Sequence, residues 1–194
     1  MSSLIFVLAI SAAACSSTGE IDRKELRRVV GTHSQVRLDA EFAAEQIHPS
    51  SVVRIKYEVE NRREHAIAIA DLHPIADYDH DSRTITISFG SEIPGAETVK
   101  LIRIDPNEKR TFSRGARLNV FQRGASPLLA RPRYVRVKLN FLTDVAPIEE
   151  ILASPAAADQ LFPRWIESNE ALFTNTIPIH WSRGQSPVST RAGF

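Results

Sequence analysis

The chain has 194 residues, 24 Lys plus Arg against 23 Asp plus Glu, 43% apolar residues and a single Cys. That size suits one domain with its own hydrophobic core. One Cys excludes disulfide staples, and beyond the N-terminus no apolar run is long enough for a transmembrane helix.

Leu4 to Ala14 reads LIFVLAISAAA, an uncharged apolar run too short to span a bilayer and of the length of a signal-peptide core. It ends in Ala12-Ala13-Ala14-Cys15, followed by the polar Ser16-Ser17-Thr18-Gly19. Ala12 and Ala14 form the small-x-small pair of an ordinary signal peptidase site. The segment also resembles a bacterial lipobox, in which small residues precede a Cys that is acylated and becomes the first residue. The sole Cys stands at that position, and lipidation disposes of a thiol that would otherwise be unpaired after export. Two departures from the lipobox are Ala12 where Leu is usual and a start, Met1-Ser2-Ser3, without Lys or Arg. Ser16 after Cys15, in place of Asp, points to the outer membrane rather than to inner-membrane retention. Residues 1–14 are thus predicted as signal peptide, 15–34 as a tether, 35–182 as a β-sandwich domain and 183–194 as a flexible tail.

From residue 35 the apolar period becomes two. Gln35 to Phe42 alternates weakly, and Val52 to Asn61 alternates cleanly, with Val53, Ile55, Tyr57 and Val59 on one face. His65 to Leu72, Arg83 to Phe89 and Thr98 to Ile104 are predicted strands, the last bounded by the turn Asp105-Pro106-Asn107-Glu108. Ser113 to Pro132, punctuated by Gly and Pro, is predicted as loop, and Tyr134 to Leu142 as a strand with its basic residues outward. Pro147 to Leu152 forms a short helix, and Ser154-Pro155 caps a second that reaches towards Phe173. Asn175 to Trp181 returns to strand, with Pro178 marking an edge. Trp165 and Trp181 sit among apolar neighbours as core anchors. Short strands at hairpin spacing with few helices predict a mainly β, antiparallel, immunoglobulin-like sandwich with a helical excursion before the last strand.

Between Glu108 and Asp144 there are nine basic residues and no acid, while the remainder carries fifteen basic and twenty-three acidic residues. Within this run Arg114, Arg117, Arg123, Arg131 and Arg133 are candidate binding residues, because Arg makes bidentate contacts to oxyanions and loops often carry binding side chains. The opposing reading is that acids on neighbouring strands neutralise them. His73, Asp77, Asp79, His80 and Asp81 lie within nine residues of a predicted loop, a set able to converge on Ca²⁺ or Zn²⁺. Their spacing matches no standard loop, and no metal or other cofactor is predicted. The eight Gly residues are never closer than five apart, which excludes the dinucleotide fingerprint G-x-G-x-x-G; Gly90 and Gly95, five apart, are followed by Ala96-Glu97 and not by the Lys-Ser/Thr of a phosphate-binding loop, and there is no H-E-x-x-H or G-x-S-x-G.

The sequence therefore predicts an exported, lipid-anchored envelope protein whose sandwich is a non-enzymatic binding or assembly module, partnered by the membrane and by another envelope protein rather than by nucleic acid. The alternatives are a binder of an anionic envelope polymer or lipid head group through the basic loop, and a metal-dependent hydrolase without a standard motif.

Overall fold

The computed structural model describes residues 27–43, 52–90, 99–118, 132–154 and 158–179. In chain order they form β1 (Arg28–His33), β2 (Val36–Phe42), β3 (Val52–Asn61), β4 (Ile67–Ala70), β5 (Ile75–Asp79), β6 (Thr84–Phe89), β7 (Leu101–Ile104), β8 (Lys109–Arg117), β9 (Tyr134–Leu142), α1 (Ala146–Ala153), α2 (Ala158–Ser168), β10 (Asn169–Phe173) and β11 (Ile177–Pro178). The protein is mainly β, with two sheets of mostly antiparallel strands.

The first sheet runs β1-β2-β3-β8, every pair antiparallel. The second is organised around β9, whose long alternating sequence gives it partners on both edges. β6 lies parallel along Tyr134 to Leu139 and β4 takes over the same edge at Leu142, while β10 and then β11 pair with the other edge. β5 and β7 complete the order β5-β6-β9-β4-β7.

The inward positions read from the alternation form the core. Val53, Ile55, Tyr57 and Val59 from the first sheet are buried with Ile85, Ile87, Phe89, Val135, Val137 and Leu139 from the second. Tyr57 stacks on Phe112 of its own sheet at 4.9 Å and meets Phe89 of the facing sheet at 4.3 Å between ring centroids. These buried rings bind the two sheets by dispersion and by apolar area withdrawn from water.

β4 is buried on both faces. Ile67 and Ile69 enter the inter-sheet core, whereas Ala68 and Ala70 meet a second cluster formed with Leu142, Val145, Ile148 and Trp165. The small Ala side chains let α1 and α2 settle on this outer face, and Trp165, only 1% exposed, fills the space between helix and sheet.

Four elements differ from expectation, each for a local reason. Residues 28–33 belong to the first sheet and not to a tether. Ser34 and Gln35, both with positive φ, close a two-residue hairpin without the Asn-Gly that would announce it. β1 is also clasped from the far side, where Asn175 Oδ1 accepts from the Val30 N–H at 2.7 Å and the Asn175 N–H donates to the Val30 carbonyl at 3.0 Å.

The His73–Asp81 segment is not a loop, because β5 occupies Ile75–Asp79 with Ala76 and Tyr78 packed on the core. Nor is residue 113 the start of a loop, since β8 continues to Arg117 on Phe112 and Ala116. The second helix stops at Ser168, well short of Phe173. The Ser168 carbonyl accepts both the backbone N–H and the hydroxyl of Thr143, and the chain then pairs with β9 from Asn169 to Phe173. Pro178 lies in a two-residue strand paired to β9, and Trp181 falls outside the described residues.

Candidate functional site

The register of the second sheet lays its outward side chains out in rows. One row runs Asp77–Thr86–Arg136 across β5, β6 and β9, and the next runs Ile75–Ser88–Lys138–Phe173 across β5, β6, β9 and β10. β6 contributes only the small Thr86 and Ser88, followed by Gly90, while its neighbours contribute long side chains. The outer face is therefore hollow along β6, an open groove of about 480 Å³. With strands about 4.8 Å apart, its two walls stand about 10 Å from each other at the backbone.

The walls carry opposite charge: β5 brings the Asp77 carboxylate, and β9 brings Arg136 and Lys138. The Arg136 Nε donates to the Thr86 hydroxyl at 3.0 Å and its guanidinium carbon lies 4.6 Å from the centroid of the Phe173 ring. Lys138 Nζ lies 5.5 Å from the same centroid. Partial burial pulls the Lys138 ammonium below its usual range, and the negative charge of Asp77 opposes that shift. The ring is 45% exposed, so the two cations and one aromatic edge face solvent together.

At the end of the groove, Asn140 is 2% exposed. Its Nδ2 donates to the Gly90 carbonyl at 2.8 Å, and its Oδ1 is buried without a hydrogen-bond partner among the described residues. Gly90, at φ +65°, turns the chain off β9 here, and a Cβ on it would collide with the Asn140 carbonyl oxygen.

Comparison with family models, curated proteins and solved structures gives no match. The site must therefore be read from its own chemistry.

The residues singled out from the sequence are distributed as follows. Arg114 and Arg117 lie on β8 in the first sheet and Arg133 lies just before β9 in the second, while Cys15, Arg123 and Arg131 fall outside the described residues. Arg114 is ion-paired with Asp71, Lys109 sits 3.5 Å from Glu60, and Arg110 sits 3.1 Å from Glu108. Acids from other segments thus offset part of the basic run. Arg117 and Arg133 are exposed.

Of the metal candidates, Asp77 and His73 line the groove. Asp79 accepts from the Ser82 hydroxyl at 2.6 Å and from the Asp81 N–H at 3.0 Å; these bonds hold its carboxyl below the usual carboxylate range and commit it to the turn. The Tyr78 and His80 rings meet edge to face at 4.4 Å. Among the described residues no three His, Cys, Asp or Glu side chains gather as a metal site.

Arg136, Lys138, Thr86, Ser88 and Phe173 were not singled out. The usable signal was the pair Arg136 and Lys138 two apart on the polar face of the clearest strand. Thr86, Ser88 and Gly90 at the same period on another strand mark where a hollow forms, but pairing β6 with β9 needs the fold. No helix among the described residues is long and apolar enough to cross a membrane.

Proposed function

We propose that the chain is an exported, lipid-anchored envelope protein, held at the periplasmic face of the outer membrane through Cys15, and that its sandwich is a non-enzymatic binding module. In this reading the binding surface is the groove along β6 and the component it holds is anionic. The observation that carries it is the state of Arg136. Among the described residues Arg136 has no carboxylate within ion-pair distance; it is oriented by a hydroxyl and a ring, so its charge is presented to solvent. Arg28, Arg62, Arg63, Arg103, Arg110 and Arg114, by contrast, each meet an acid.

The apolar run and Cys15 support the address, and two antiparallel-rich sheets around one core support an immunoglobulin-like sandwich, from which the parallel β6–β9 pair is a departure. Of the basic run, Arg114 on β8 is the weaker candidate because Asp71 already neutralises it.

Two experiments test this reading. Intact mass of the protein from envelope fractions should begin at Cys15 and carry acyl chains, and Cys15→Ala should release it from the membrane; an uncleaved or cytosolic product refutes the address. Retention of the purified mature domain on isolated envelopes should fall with salt and with Arg136→Gln. Retention indifferent to both would indicate a protein contact with an apolar centre and refute the anionic reading.

A further inference from the structure

Two cations brought to one aromatic ring repel each other, and at partly buried positions that repulsion is only weakly screened by water. Lys138 is paired directly with Phe173 across the β9–β10 ladder, and Arg136 lies two residues away on the same face, so the arrangement is built into the strand register. Asp77 offsets part of the charge on the Lys138 side, and Asp79 interacts with Arg136 beyond ion-pair distance. On the Arg136 side, Nε is committed to Thr86 while the two Nη groups, the fork that matches an oxyanion, have no acceptor among the described residues. Ser88, between the walls, adds a hydroxyl that makes no hydrogen bond among the described residues, and Asn140 adds the buried, unpartnered Oδ1.

Resting on the reading of the groove as the binding surface, we infer that it holds a phosphate ester of a small polyol, the phosphate on Arg136, Lys138 and Ser88 and a ligand hydroxyl donating towards Asn140. A guanidinium, an ammonium and a hydroxyl suit a tetrahedral oxyanion better than a planar carboxylate, which one Arg fork would satisfy. The unpartnered amide oxygen calls for a donor, and Asn140 lies two residues along β9 from Lys138, about 7 Å, so a polyol hydroxyl can reach it from an anchored phosphate where the P–OH of inorganic phosphate is too short. Asp77 and, beyond it, Asp79 disfavour a ligand of dense negative charge, so a single phosphate fits where a polyphosphate does not. Ile75 and Phe173 flank the phosphate position and accommodate the carbon skeleton or the first methylenes of a lipid.

The same chemistry is offered by a free polyol phosphate and by a glycerophospholipid head group. Calorimetric titration of the mature full-length domain with glycerol 3-phosphate, and co-sedimentation with phosphatidylglycerol or phosphatidylcholine vesicles, separate these sources. Saturable binding of glycerol 3-phosphate, or of phosphatidylglycerol over phosphatidylcholine vesicles, supports the inference; the first alone identifies a soluble ester and the second alone a head group. Inorganic phosphate should bind about tenfold more weakly than glycerol 3-phosphate, the size of one unmet hydrogen bond.

Arg136→Gln should weaken binding about tenfold or more, as expected for loss of a charge-assisted fork. Ser88→Leu, which fills the groove and leaves every charge in place, should abolish it, whereas Arg54→Gln on the exposed side of the first sheet should leave it unchanged. Absence of saturable binding to both probes, or equal affinity in wild type and a folded Ser88→Leu variant, overturns the inference. In either case the envelope fractionation and the Arg136-dependent retention described above stand or fall separately.

Discussion

Asn61, fully buried at the end of β3, fastens the two sheets together at one end. Its Nδ2 donates to the carbonyls of His65 at 2.9 Å, Ile104 at 3.1 Å and Asp105 at 3.2 Å, and its Oδ1 accepts from the Arg63 N–H at 3.0 Å. One side chain therefore ties the end of the first sheet to the end of β7 in the second. Asn61→Ala strands the buried Ile104 carbonyl, at about 1–3 kcal/mol, and removes weaker bonds to partly wet groups at roughly 0.5–1 kcal/mol each. About 3 kcal/mol of destabilisation is expected, a fall in Tm of about 6–12 °C for a domain of this size. Urea unfolding should show the loss in the midpoint with an unchanged slope.

Asn61→Asp sharpens the test, because it keeps the shape and turns the donor into an acceptor facing three carbonyl oxygens. Its carboxyl will be pushed above the ordinary Asp range in the folded protein, so between the unfolded value of about 3.9 and the folded value the native state holds the extra proton. Stability relative to wild type must then fall as pH rises through that window, while Asn61→Ala shows no such trend. A loss below about 1 kcal/mol for Asn61→Ala, or a pH-independent cost for Asn61→Asp, refutes the account.

Asp39 is held below the usual carboxylate range, first by its hydrogen bond from Arg28, with burial opposing it and the charges of Arg28 and Arg37 adding to it. Its stabilisation is present above the unfolded carboxyl value and lost as pH falls through the lower folded one, so Asp39→Asn should flatten the acid limb of stability against pH; an unchanged limb counts against the pair. Ser34→Asn with Gln35→Gly should raise stability by about 1 kcal/mol in denaturant titration, the relief of two left-handed residues less the backbone entropy of Gly; a loss would mean that β1 is not hairpinned as described. Gly90→Ala should cost about 1–3 kcal/mol in the same assay, since it combines a positive φ with a collision against the Asn140 carbonyl, and a neutral result would place the groove end elsewhere. The Tyr57 phenol is pushed up by burial, so spectrophotometric titration should leave one tyrosine un-ionised until the protein unfolds in alkali; three tyrosines titrating together would contradict its position in the core.

Strands with a full apolar face were legible. Val52 to Asn61 and Tyr134 to Leu142 match β3 and β9 because each buries every second residue. The strands that escaped have almost no such face. β8 buries only Phe112 and Ala116 among basic neighbours, β5 packs Ala76 and Tyr78 between aspartates that ordinarily belong to turns, and β10 reads as the continuation of a helix until Thr143 ends it. Their pairing partners decide them, and a partner distant in sequence leaves no local trace. The site was legible in the same measure: Asp77 and His73 were marked for a metal and line the groove, and Arg136 was one of nine basic residues until the hydroxyl and the ring that orient it distinguished it.

That distinction follows from the way β9 is used. Its inner face is apolar throughout, but its outer face changes along its length, because the helices cover only the Leu142 end. Where Trp165 seals the sheet, Ala68 and Ala70 are small so that a helix can come down; where Thr86, Ser88 and Gly90 are small, no described helix comes down and the space remains as the groove. Small residues on neighbouring stretches of one β9 edge thus serve two ends, a packed interface and an open one. The open end is where Arg136 and Lys138 converge on Phe173, with Asp77 and Asp79 acting on them from β5. The open guanidinium fork of Arg136 and the unpartnered Asn140 Oδ1 lie along that one stretch of β9, and together they are the argument for a ligand.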